Sequence, residues 1–456
     1  MMNSKEKRIL LILSFTSFLI MYTEAMMIPA LPQILAELNY SISSSSLAWI
    51  ITSYLLVAAT TMALLAKLSE RYGRKVILLL SILIYLISVS LSGFQVFYTN
   101  LIILRGIQGI GAGVFPISYS IISDQFDKHN VGLAQGVLSS MFALGASMGI
   151  IGGAMIDYLS NWQWSYHTIV PFVILDLVFV LMYIPKDYND KNIKIDMPGI
   201  VTLGITLFFF VYSLTLPFSS AQWYMALSLV IFILFIMIEW ISTNPIVRLD
   251  ILKSREVMIA NITAFFIGVT QFEFYQPIIL KLTNPGIFGF NLNYLQAGLI
   301  ILPYSVIMLI ISPVVGFNLN KISKRFFLIF GSMLIFAGYA LLGVFNNNLI
   351  LIIVWELFIS SGLAIDLVSS INLLTTSVSR EIIPSATGMN MIARTAGGVV
   401  GGTIAGYILS NYTYYYNFNI YALPIILPDK FSYLFVFSVA AIFAIIILIT
   451  ALFSKK

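Results

Sequence analysis

Cysteine is absent from the chain, and histidine occurs only twice in 456 residues. Without a thiol there is no disulfide, no thiolate metal site and no cysteine nucleophile. His129 and His167 stand without any His-Glu-x-x-His or comparable ligand spacing around them. The phosphate loop Gly-x-x-x-x-Gly-Lys-Ser/Thr is missing too, so no nucleotide is expected to supply work, and no metal or other cofactor is expected. Charge is scarce: Asp, Glu, Lys and Arg make up 9% of residues, where soluble domains carry about 25%. The loops are too short for a catalytic or signalling appendage, so the chain is not expected to be an enzyme, and a non-transporting membrane sensor is a remote reading.

Apolar residues fill the space that charge leaves, at 59% of the sequence. They come in runs close to the roughly 20 residues that one bilayer crossing takes. Fourteen spans are expected, near residues 9–30, 47–66, 76–94, 99–122, 132–155, 166–184, 199–217, 222–241, 258–280, 297–315, 326–344, 348–374, 385–409 and 431–453. Met1–Arg8 reads as a short basic head before the first of them. Placing the N-terminus inside puts twenty of the 24 Lys and Arg on the cytoplasmic side. Lys281 and Lys430 fall outside, and Arg105 and Arg394 fall within spans. That asymmetry supports an even count with both termini cytoplasmic. The net charge of +5 is dispersed through short loops, which speaks for anionic lipid heads and against nucleic acid as partner.

The chain also repeats. Glu24 and Glu273 lie 249 apart, each followed closely by a proline (Pro29, Pro277). Leu68, Arg74 and Gly111 match Leu319, Arg325 and Gly362 at 251, and Ala134, Gly136, Gly145 and Gly149 match Ala386, Gly388, Gly397 and Gly401 at 252. Single coincidences are cheap in Gly-rich apolar sequence, but a nearly constant shift across four helix pairs is not. It predicts a bundle of six helices over 1–185, a charged linker and an inserted helix pair over 186–245, and a second six-helix bundle over 246–456. Parallel repeats of this kind place a substrate site at their interface, near mid-membrane.

The basic turn between the second and third spans reads Ala66-Lys-Leu-Ser-Glu-Arg-Tyr-Gly-Arg-Lys75. It resembles the loop of major facilitator superfamily transporters that usually reads Gly-x-Leu-Ser-Asp-Arg-x-Gly-Arg-Arg. Glu70, Arg71, Gly73 and Arg74 keep its pattern, and the resemblance gives them a conformational role. In the fourth span, Arg105-Gly-Ile-Gln108-Gly109 is similar to that superfamily's Arg-x-x-Gln-Gly motif, which is associated with proton coupling. The glycines after it suit close helix packing in mid-span. In the fifth, Gly145, Gly149, Gly152 and Gly153 resemble the antiporter motif of drug exporters, with Met148 and Gly149 where Gly-Pro is usual. The resemblance implies exchange, and the proline that usually kinks this helix is the part of the motif that is missing. Trp162-Gln-Trp164 with Pro171, Asp196-Met-Pro-Gly199, Gln296-Ala-Gly-Leu-Ile-Ile-Leu-Pro303 and Ala386-Thr-Gly-Met-Asn390 with Arg394 look like the fourteen-helix drug:proton antiporter branch. Members commonly carry Leu-Asp-x-Thr in helix one. Here Tyr22-Thr-Glu-Ala25 puts the acid one position away, roughly 100° round the helix.

Ionisable groups inside spans are expensive and need a partner or a wet cavity, at least ~2.5 kcal/mol for an arginine on insertion scales. Arg105 is either cavity-facing or a buried hydrogen-bonding strut. Glu24 is the first candidate for a proton or a cationic substrate, opposed by Arg105, because a carboxyl there costs less neutral than charged. Glu273 is expected as its symmetric counterpart. Glu356 takes the repeat position of Arg105, and Asp366 lies ten residues on without necessarily sharing a face. Arg394 is a further cavity candidate, and Asp176 and Glu239 are weaker ones. The resemblance implies a secondary active transporter of the cell membrane, expected as a monomer, whose partners are a small molecule and protons. It would export amphipathic or cationic, drug-like compounds by rocking two halves about a central site. The alternative is proton-coupled transport of another substrate or direction, such as organic-acid uptake or export of a lipid-like metabolite.

Overall fold

The computed structural model describes residues 2–30, 34, 37–38, 44–186, 196–214, 216, 218–242, 245, 249–319, 321–379, 382–416 and 425–454. Most of the charged linker expected between the halves (187–195) lies outside the described residues, as do Arg248, Arg380, Lys455 and Lys456.

Fourteen apolar helices run in the expected order. They are α1 (Ser4–Ala25), α2 (Ser44–Tyr72), α3 (Arg74–Ser92), α4 (Tyr98–Gln125), α5 (Lys128–Leu159), α6 (Trp162–Tyr183), α7 (Met197–Leu214), α8 (Phe218–Ile241), α9 (Arg255–Thr283), α10 (Tyr294–Asn318), α11 (Lys324–Val344), α12 (Leu349–Thr376), α13 (Ile383–Asn411) and α14 (Lys430–Leu452). Among the described residues, thirteen are long and apolar enough to cross a membrane, and α7 is the shorter fourteenth. The polypeptide is thus an all-α polytopic membrane protein of two six-helix bundles with an extra helix pair.

Local chemistry sets the helix ends. The expected basic head proves helical, because Asn3 and Glu6 form a reciprocal capping box that starts α1 at Ser4. The same helix stops at Ala25, where 9–30 had been expected, and Met26–Ala30 continue as turns. Asn293 with Gln296 starts α10 in the same way. Between α2 and α3 the chain reverses at Gly73, whose φ of 96° is a conformation that L side chains rarely adopt. Within α4, Ile110–Gly113 tighten to a 3-10 turn, where Gly109 meets the Tyr54 carbonyl, Gly111 the Tyr85 ring and Gly113 Leu65. One departure from an all-helical chain is a two-stranded antiparallel hairpin, β1 (Thr413–Tyr416) with β2 (Ile425–Pro428), on the loop before α14.

The packing is a repeat as well. Helix α1 lies along α5 as α9 lies along α13, and α3 meets α6 as α11 meets α14. The bundles join through α5 against α10 and α2 against α13. At the first seam a Cβ on Gly132 would lie 2.4 Å from the Gly316 carbonyl oxygen, and one on Gly316 2.1 Å from that of Gly132. Only glycine at both positions lets the backbones cross so closely. The inserted helices α7 and α8 pack on each other, and α7 on α2.

Candidate functional site

The site lies where the bundles face each other, and its frame is built by Arg105. This residue is 1% exposed on α4. Its Nε donates to the Ile50 carbonyl at 3.2 Å, and its two terminal nitrogens donate to Thr23 O at 3.5 Å, Glu24 O at 3.3 Å and Gln108 Oε1 at 3.0 Å. Gln108 in turn donates to Ser92 Oγ at 2.8 Å. The guanidinium's fixed fork therefore clamps α1, α2 and α4 together through main-chain oxygens, with the Tyr54 ring 5.3 Å from its carbon. Of the two roles expected for Arg105, this geometry is that of a strut, and one that sets Glu24 in place by holding its backbone.

Glu24 itself is surrounded by protein, with Arg105 and Arg394 within electrostatic reach and the Tyr54 hydroxyl directed toward it. That hydroxyl makes no hydrogen bond of ordinary geometry. Glu24 on α1, Tyr275 on α9 and Arg394 on α13 are each partly buried and lie within electrostatic reach of one another, so polar groups of both bundles meet at the seam. Arg394 sits over the Phe142 ring of α5, 3.9 Å from its centroid, and Tyr119, Tyr275 and Tyr304 are also in its electrostatic range. Its Nη1 has no hydrogen-bond partner. A carboxyl, a guanidinium with unused donor capacity and a wall of tyrosine and phenylalanine can bind an amphipathic ion and exchange a proton.

The other expected acids are placed elsewhere. Glu273, Glu356 and Asp366 are all 0% exposed, and both oxygens of each lack a hydrogen-bond partner. Glu356 lies beside Tyr304 of α10. Asp366 turns to α11, where a Cβ on Gly331 would lie 2.2 Å from Oδ1. The expected pairing of Glu24 with Glu273 needs correction. Gly145 and Gly149 pack on the Phe18 and Tyr22 carbonyls, and their repeat partners Gly397 and Gly401 pack on those of Phe265 and Val269. By that register Glu24 corresponds to Gln271, and Glu273 to Met26. The two acids are two positions out of step, about 200° of helix, because the contacts that bind α9 to α13 slid relative to the sequence match.

Gly145, Gly149, Gly152 and Gly153 of α5 all face α1 and the turns that follow it. A Cβ on Gly152 would strike the Tyr22 hydroxyl at 2.1 Å, and one on Gly153 the Met26 carbonyl oxygen at 2.0 Å. On the inner face, Arg74 pairs with Asp124 of α4 at 2.9 Å, Arg71 lies over the Tyr72 ring at 5.2 Å, and half-buried Glu70 sits on the last turns of α2. Lys67 of the same turn donates to the Pro245 carbonyl at 2.7 Å, beyond the inserted pair. Asp176 accepts from Thr16 at 2.9 Å, a partner that its residue type alone did not suggest. Tyr54, Tyr119, Phe142 and Tyr275 escaped the sequence reading, since aromatics are 14% of the chain and nothing marks these few.

A family model described as Major Facilitator Superfamily matches residues 13–401. Multidrug resistance protein 3 of Bacillus subtilis (strain 168) is 28% identical over 396 residues, covering 84% of this chain and 75% of that protein. Multidrug transporter protein MdtP of the same organism is 27% identical over 394 residues, covering 84% and 71%. Among solved structures, the human organic anion transporter MFSD10 superposes with a TM-score of 0.67 at 13% identity, over 98% of this chain and 100% of that one. At that identity the likeness is one of fold.

Proposed function

The chain belongs to the Major Facilitator Superfamily, and on that premise we propose that it exports amphipathic or cationic small molecules across the cell membrane in exchange for protons. The observation that carries this reading is the trio Glu24, Tyr275 and Arg394, drawn from both bundles and within electrostatic reach of one another. Residues 1–185 and 246–456 act as the rocking units, with 186–245 riding between them. Glu24 takes up the proton, and Arg105 fixes its position. Arg394 and the aromatic wall meet the substrate. The multidrug names of two relatives support the substrate class.

The test is dye efflux from proteoliposomes under an imposed pH gradient, wild type against Glu24→Gln. Gradient-driven efflux is expected to vanish while substrate binding remains. Undiminished efflux in the variant removes Glu24 from the mechanism.

A second reading, proton-coupled movement of an organic anion, is favoured by the two arginines within electrostatic reach of Glu24 and by the absence of the expected proline at Gly149. Substrate-induced proton uptake, in place of release, would select it.

A further inference from the structure

Resting on the rocking reading above, we propose that Gln135 is the latch of the inner gate, a positioning residue that keeps the cytoplasmic side shut while the centre is loaded. Gln135 is 0% exposed on α5, seven residues from that helix's inner end, or about 10 Å. Its amide reaches across the seam to α12 of the other bundle in both directions at once. Nε2 donates to Thr375 Oγ1 at 3.3 Å, and Oε1 accepts from Asn372 Nδ2 at 3.4 Å. A third contact, Nε2 to Ser123 Oγ at 3.4 Å, anchors it on α4 of its own bundle.

Three features suit a latch better than a permanent strut. All three bonds are long for their type, so each is weak and readily broken. The bonding groups are uncharged, so opening breaks no Coulombic attraction and closing desolvates no ion. The glycine crossing of Gly132 and Gly316 lies one turn further toward the inner face, giving a pivot next to the clasp.

The repeat supplies a control. Thr387 stands 252 residues after Gln135 and reaches the opposite way, to the Pro116 carbonyl of α4, at 3.5 Å. Its hydroxyl has one proton, which goes mainly to Ile383 O at 2.8 Å. The pseudo-symmetric position therefore holds a far weaker clasp, and the two substitutions should differ.

Because the chain has no cysteine, spin labels can be placed cleanly at Val76→Cys and Phe326→Cys. These inner-end positions on α3 and α11 are 55% and 53% exposed. Distance distributions between them, in lipid nanodiscs, report opening of the inner side. Gln135→Met keeps the side chain's bulk and removes the bonds. It is expected to raise the long-distance population about fivefold, as the loss of one or two weak hydrogen bonds allows, and to lower KM from the inner side together with kcat. Thr387→Val should change the distribution by less than about twofold. Adding Asn372→Ala to Gln135→Met should add almost nothing. An unchanged distribution in Gln135→Met, in a protein whose parent shows both populations and transports, overturns the latch alone. A parent confined to one distance under every gradient overturns the rocking reading and the latch with it.

Discussion

The two bundles solve the same burial problem in opposite ways. In the N-terminal one, the fully buried carboxyls and guanidinium are answered: Glu6 accepts from the Asn3, Asp127 and Asn130 nitrogens, Arg105 uses four acceptors, and Asp176 has Thr16. In the C-terminal one, Glu273, Glu356 and Asp366 are buried with no hydrogen-bond partner. At the repeat position of the strut Arg105 stands the bare acid Glu356. Identical topology therefore does not fix polar function. One bundle ties its buried ionisable groups into the frame, and the other carries buried carboxyls that no hydrogen bond holds.

The largest effect should come from the brace. Arg105→Lys keeps the charge but not the fork, and is expected to lose transport by tenfold or more and to lower thermal stability by about 3 kcal/mol. A wild-type melting curve would undo the scaffold half of the comparison. Next, Gly149→Val and Gly401→Val should each cost about 1–3 kcal/mol. Their added atoms would meet the Tyr22 and Val269 carbonyls at 2.3 and 2.1 Å. Unequal losses in thermal unfolding would show that the helix pairs α1–α5 and α9–α13 are not mechanical equivalents. Glu356→Gln and Asp366→Asn should leave the melting temperature unchanged or raise it, because burying a charged form with no partner is what the neutral amide avoids. A drop of several degrees in either variant would reveal a partner for that acid. Smallest is the surface pair: a double-mutant cycle on Arg74→Ala and Asp124→Ala should give a coupling of about 0.5–1 kcal/mol. The corresponding cycle on Lys324→Ala and Thr376→Val, whose groups meet at 2.5 Å without a second charge, should give less.

Most of the architecture could be read from the residues, because a bilayer imposes a length on every apolar run and a side on every lysine. The positions of α2 to α14 follow from that. The register between helices does not, since it depends on where glycine meets carbonyl. Glu24 and Glu273 match in sequence and miss in space for that reason. Arg105 was visible as a buried charge. Its commitment to main-chain oxygens was not, because every residue offers the same acceptor. Gln135 carried no signal at all: an amide inside a helix says nothing of which bundle it will reach.

Lys67 ties Pro245 to the last turns of α2, and the inserted pair is thereby moored to the N-terminal bundle. The slack between that mooring and α9 is then only the nine residues 246–254, which drawn out span at most about 30 Å, less the helical turn Leu249–Leu252. Under the proposed rocking, this short tether would cap how far the two bundles swing apart at the inner face, whatever the length of the charged segment before α7. Cutting the hydrogen bond with Lys67→Met would pay out more line.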